Sequence, residues 1–249
     1  MYSNRKGMLS QVIHWTEYAG AGIDLLLLLR VLGLRLQRTY VFITLVCVLT
    51  AFFDIVDLSL VRESPEWRRV VVYSELIFAF AFPVAAWDVF EELANSLNTV
   101  RRLAITRTVT SLLMISIFGL MLASLANSSE DPAGLAFIST VSIVVWTGSA
   151  SGSLAFIWAV HRAVRLQKME PPHNTFVWMI FFELFLGAQV LAILVSLVEA
   201  SLGQTSTGLF PQIGDLVLNL YLMGITVWCT LKLKSLPRDL PSASLNENP

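Results

Sequence analysis

The chain has 249 residues, of which 55% are hydrophobic and only 14% charged. Ordinary soluble domains carry nearly twice that share of charge, so a freely soluble protein is excluded. The 17 basic and 18 acidic residues give a net charge of −1, but the bases lie almost wholly between hydrophobic runs while several acids lie inside them. Net charge therefore says nothing about partners, and nothing in its distribution points to nucleic acid.

Crossing ~30 Å of hydrocarbon takes about 20 apolar residues, and seven runs of that order occur, at 9–29, 39–61, 70–90, 108–127, 135–160, 175–201 and 212–233. The expected fold is an all-α polytopic membrane protein, a seven-transmembrane-helix bundle spanning residues 1–234. The polar tail 235–249 is expected to be flexible and too short for an output domain. His14, Glu17 and Asp24 interrupt the first run, so it is read as a helix rather than a secretory signal. The third carries Pro83, which is expected to kink it and free a backbone carbonyl. The fifth contains Gly148-x-x-x-Gly152 amid serines, a spacing that suits close helix packing. Pro171-Pro172 forbids helix continuation between the fifth and sixth.

Lysine and arginine set the orientation. Arg30, Arg35 and Arg38, Arg101, Arg102 and Arg107, Arg162, Arg165 and Lys168, and Lys232, Lys234 and Arg238 fall on one side, in four groups of three. Arg5, Lys6, Arg62, Arg68 and Arg69 are all that fall on the other. The N-terminus is therefore expected outside and the C-terminus in the cytoplasm. Trp15 and Trp67 near the outer edge, and Trp87, Trp158 and Trp178 near the inner one, are assigned to interfacial belts.

Carboxylates inside a bilayer are costly and are paired, hydrated or functional. Residues three, seven and ten apart share a helix face, which gives the first helix one stripe of His14, Glu17 and Asp24. The second has Cys47, Thr50, Asp54 and Asp57, and the seventh has Asp215, Asn219, Thr226 and Thr230. At ~1.5 Å per residue, Glu17 lies about 12 Å below the outer edge, Asp54 about 10 Å, Glu75 about 7 Å and Asp215 about 5 Å. His14, Glu17, Asp54, Asp57, Glu75 and Asp215 thus form one outer layer. With no basic residue expected at that depth they cannot all be ionised at close quarters, and an outward-opening acidic pocket for a ligand or ion is the simplest arrangement. The bland alternative is that Arg62, Arg68 and Arg69 reach down to pair with Asp57 and Glu75. Asp24 and Glu183 are separate inner polar positions, while Asp88 and Glu199, near helix ends, are expected to be interfacial.

His14 and Glu17 at i, i+3 resemble half of a helix-bundle metal site, but His161 and His173 fall on the cytoplasmic side, so no metal is assigned. Cys47 and Cys229 lie in apolar runs and form no disulfide framework. The Asn127-Ser128-Ser129 sequon is a weak match. No phosphate loop, zinc-protease helix or serine-nucleophile elbow occurs; no catalytic residue or cofactor is assigned, and an enzyme is disfavoured.

A seven-helix chain with an outside N-terminus resembles opsins in topology alone. A retinal Schiff base needs a lysine near the middle of the last helix, where this chain has Met223 to Thr230, with Lys232 and Lys234 at the edge. Closer in character are LGLRLQRTYVFITLV, entering the second helix, and YSELIFAFAFPVAAWDVFEELANSLNTVRRLA, Tyr73 to Ala104. With the compact loops and short tail, these resemble uncharacterised bacterial multi-pass membrane proteins of this size. That resemblance implies a bacterial inner membrane and carries over no functional residue. Two functions fit: a sensing or partner-binding module, whose outer acidic pocket reports to basic loops that recruit a cytoplasmic protein, or a proton- or cation-coupled small-solute transporter. A continuous polar path from Asp54 through Asp24 and Glu183 would favour the second.

Overall fold

The computed structural model describes residues 2–61, 64–94, 132–201 and 209–235. Six long helices account for nearly all of them: α1 (Tyr2–Gly33), α2 (Val41–Ser59), α3 (Pro65–Ala94), α4 (Pro132–Leu166), α5 (His173–Ser201) and α6 (Leu209–Lys232), with a short 3-10 turn at Leu36–Arg38. No strand occurs among the described residues. Each helix contains a stretch long and apolar enough to cross a membrane, from Val12–Gly33 in α1 to Ile213–Lys232 in α6. The chain is therefore a polytopic helical membrane protein. The expected helix at 108–127 lies outside the described residues, as do Arg62, the Asn127 sequon and the tail beyond residue 235.

Each of these helices packs against the next in the order described, and α6 closes onto α1, so the six form a ring. Lipid-facing and core-facing positions separate cleanly on α2. Val41, Leu45, Val48, Phe52 and Ile55 are exposed at alternating spacings of four and three, while Ile43, Val46, Cys47 and Ala51 are buried on the other side. Large apolar side chains pointing outward along a whole helix are the reverse of a soluble fold and suit a hydrocarbon solvent.

Helix ends at the Arg30 side are tied together by side chains. Arg30 Nη2 donates to the Leu233 carbonyl at 3.1 Å, His173 Nε2 lies 2.9 Å from the Lys232 carbonyl, and Asn174 exchanges two bonds with the backbone of Lys234. These occupy carbonyls that the end of α6 leaves without intrahelical partners. At the other helix ends, Arg35 and Lys168 take the left-handed conformation, at φ 58 and φ 51. The Met169 N–H then reaches back to the Val164 carbonyl, as in a Schellman turn, and α5 begins directly after Pro171-Pro172.

Three expectations change here. Asp88 is not interfacial: it is only 4% exposed, and its Oδ2 accepts the Ile43 N–H at 2.8 Å. Tyr40, at the N-cap of α2, makes no side-chain cap bond of its own, so Asp88 of α3 caps α2 from across the interface. Trp178 is fully buried in the core rather than in a belt, because its neighbours Tyr40, Phe181 and Phe182 enclose it. Trp15 and Trp158 do face outward. Gly148 is exposed with open space around the position of a Cβ; the close face of α4 is instead Ser142, Ser149, Ala150 and Ser153, all fully buried.

Pro83 lies inside α3, which continues through it to Ala94. Lacking an N–H, Pro83 leaves the carbonyl four residues earlier without its helical donor. That carbonyl belongs to Ala79, and the Ser149 hydroxyl of α4 donates to it. The expected free carbonyl thus has a partner across the α3–α4 interface.

Candidate functional site

A cavity of about 310 Å³ occupies the middle of the ring and is lined by all six described helices. From α1 come Glu17 and Asp24, seven residues and two turns apart on one face; from α2 come Thr50, Asp54 and Asp57. Phe78 and Phe82 of α3, Trp146 of α4, Phe185 and Gln189 of α5, and Asn219, Met223 and Thr226 of α6 complete the wall. The lining is a band of carboxyl and amide groups set against aromatic rings, and among the described residues it includes no Lys, Arg or His.

The Asp24 and Asp54 carboxyls lie beside each other, with the Thr226 hydroxyl within hydrogen-bond reach of Asp24. Asp54 Oδ2 is buried and accepts no hydrogen bond from a described donor. Asp57 accepts the Trp67 indole N–H at 2.5 Å. Glu17 lies 3.6 Å from His14 Nδ1 across one turn, with His14 61% exposed at the rim.

The sequence-assigned outer layer therefore divides. Glu17, Asp54 and Asp57 line the cavity together; His14 stands at its edge. Glu75 is outside it, turned toward α4, where the Ser142 hydroxyl donates to it at 2.5 Å. Asp215 is exposed and does not line the cavity. Arginine pairing does not describe the observed partners, which are Trp67 for Asp57 and Ser142 for Glu75. Arg69 is exposed, and the side chains of Arg62 and Arg68 lie outside the described residues. Asp24 moves from an inner position to the cavity. The residue missed was Gln189, which a polar position on α5 facing the same layer as Asn219 would have suggested.

Beneath Asp24 the wall changes character. A pocket of only about 30 Å³ there is bounded by Leu27, Ile43, Val46, Cys47, Phe82, Trp178, Phe181, Phe182 and Phe185. Stacked Phe181 and Phe185, with centroids 5.5 Å apart, and the tilted Phe82–Phe185 pair at 6.0 Å fill this layer. Glu183 lies elsewhere: both its oxygens are within 2.9 Å of His161 Nδ1. Arg165 Nε donates to His161 Nε2 at 3.0 Å, which fixes the imidazole proton on Nδ1, shared with Glu183. Both ring nitrogens are thus engaged, and His161 is 7% exposed, so it is a structural link rather than an available base. Near it Tyr40 donates to Glu92 at 2.6 Å, Thr175 donates to the same oxygen, and Glu199 has no described side chain. Burial and the Glu92 carboxyl beside it push the Tyr40 phenol above its ordinary range.

No group of three or more His, Cys, Asp or Glu side chains with metal-site geometry occurs among the described residues. Comparison with family models, curated proteins and solved structures gave no significant match.

Proposed function

We propose that this chain is a sensing or partner-binding membrane module whose acidic cavity takes a small polar ligand from the outer side. The observation that carries this reading is a single cavity reached by all six described helices and closed below by aromatic rings. A ligand there touches every helix, so its binding energy acts on the packing of the whole ring. The aromatic layer separates Asp24 and Asp54 from Glu183, so no chain of polar side chains links the cavity to the opposite end among the described residues, which favours binding over conduction.

In this reading the bundle has seven helices, residues 1–234, with the N-terminus outside and residues 235–249 as a cytoplasmic tail. Arg35, Arg38, Arg162, Arg165, Lys168, Lys232 and Lys234 are all exposed, and a basic surface of this kind at one end suits both the positive-inside rule and an acidic cytoplasmic protein partner. A bacterial inner membrane is the setting the sequence resemblance implies.

The second reading, a proton- or cation-coupled transporter, draws on one observation: the close approach of the Asp24 and Asp54 carboxyls in the cavity. One experiment separates the two. The detergent-purified chain is melted against a panel of small polar solutes, and the same solutes are offered to proteoliposomes. A saturable rise in Tm that Asp54→Asn abolishes, without uptake, supports the module. Uptake driven by a pH gradient supports the transporter. A panel giving neither rise nor uptake contradicts both.

A further inference from the structure

The cavity gathers four carboxyl groups, Glu17, Asp24, Asp54 and Asp57, and no basic side chain among the described residues lines it. Asp24 and Asp54 lie side by side in it, and Asp54 Oδ2 is buried with no donor among the described residues. A carboxylate oxygen buried without a donor is costly to leave so. What such an oxygen accepts best is a charged N–H, since charge-assisted bonds are about twice as strong as neutral ones.

The remaining wall decides what carries that N–H. A bare metal ion would need several oxygen ligands arranged about one point, and no such group of carboxylates and histidines occurs among the described residues. Phe78, Phe82, Trp146 and Phe185 instead offer rings to an apolar body and π-faces to a cation. Gln189, Asn219 and Thr226 add uncharged hydrogen-bonding groups on the far side. About 310 Å³ is at the low end of the ~300–1,000 Å³ of small-molecule pockets, which limits the occupant to a small molecule.

We infer that the ligand is a small organic primary ammonium ion, its NH3 group bound at Asp54 and its apolar body against the aromatic wall. This rests on the cavity being the ligand site. Among the described residues the titratable groups facing the Asp24–Asp54 pair are Glu17 from α1, Asp57 from α2 and the Cys47 thiol below; α3, α4, α5 and α6 present aromatic, amide, hydroxyl, thioether and aliphatic groups to the cavity.

The test is calorimetric titration of the full purified chain with 2-phenylethylammonium, and with 2-phenylethanol as its neutral counterpart. Expected is binding of the amine and, at the same concentrations, none of the alcohol. Asp54→Asn should weaken amine binding at least tenfold. Should that variant not fold, the preference of the wild type for amine over alcohol decides alone. Alcohol binding as tight as the amine, or amine binding that Asp54→Asn leaves unchanged, overturns the inference. If the amine fails while another solute of the melting panel gives an Asp54-dependent shift, the ammonium inference falls and the binding module stands. If none of them binds, both fall.

Discussion

Asp88 of α3 accepts the backbone N–H of Ile43 at 2.8 Å, so the first turn of α2 is capped by a side chain 45 residues away in sequence. A cap of this kind contributes about 1 kcal/mol, up to about 2 when it is buried. Asp88→Ala should lower the stability of the purified protein by that amount, read as a drop in Tm, whereas Asp88→Asn, which keeps an accepting oxygen, should lose less. Equal melting of wild type and Asp88→Ala would contradict the cap.

The bond from Ser149 to the Ala79 carbonyl exists because Pro83 cannot supply the helical donor. Ser149→Ala in the wild type should therefore cost about 1 kcal/mol. In a Pro83→Ala background the restored N–H of residue 83 serves the same carbonyl, and the cost of Ser149→Ala should shrink toward zero. A double-mutant cycle in denaturant checks this; identical costs in the two backgrounds would show that Pro83 and Ser149 are uncoupled.

His161 donates its Nδ1–H to the Glu183 carboxylate and accepts from Arg165 at its second ring nitrogen. Removing the imidazole leaves a half-buried carboxylate without its donor, at a cost of about 1–3 kcal/mol. His161→Leu should thus be poorly expressed or markedly less stable, and the pair His161→Leu with Glu183→Leu should recover much of the loss. A double variant as unstable as the single one would argue against the pairing.

Burial and Glu92 raise the Tyr40 phenol above its ordinary range. An acid that is harder to ionise when folded contributes stability that is complete below its unfolded value, near 10, and is lost as pH rises toward its folded value. Alkaline titration of stability should show wild type losing more than Tyr40→Phe above about pH 10, with parallel curves below. Parallel curves throughout would remove Tyr40 from the pH response.

Helix identity was legible because twenty apolar residues in a row have few other uses, and the six described spans overlap the expected runs with ends that differ by at most six residues. Ends were less legible: α3 begins at Pro65, whose fixed φ suits a first turn, well before the apolar run at Val70. The α1 stripe placed Glu17 and Asp24 on one face, but depth counted from an assumed membrane edge assigned Asp24 to the inner side. Glu75 matched the layer by depth and still faces Ser142, because helical phase gives a direction only once the neighbouring helix is known. Asp88 was misread for the same reason, its partner being the start of a helix that the sequence does not show to be adjacent. Trp178 was misread because a tryptophan near a helix end suits a belt and a core equally well on composition alone.

Ligand entry requires a cavity open to the outer side, and thiol labelling from each side of the membrane measures that. The native Cys47 and Cys229 are buried and provide an unlabelled background. Asn219→Cys places a thiol on the cavity wall, and Lys168→Cys places one on the exposed turn at the opposite end. A membrane-impermeant cationic thiol reagent should label Asn219→Cys in intact cells and Lys168→Cys only after permeabilisation. Labelling of Asn219→Cys only under the conditions that label Lys168→Cys, or under neither, would contradict a cavity open to the outside.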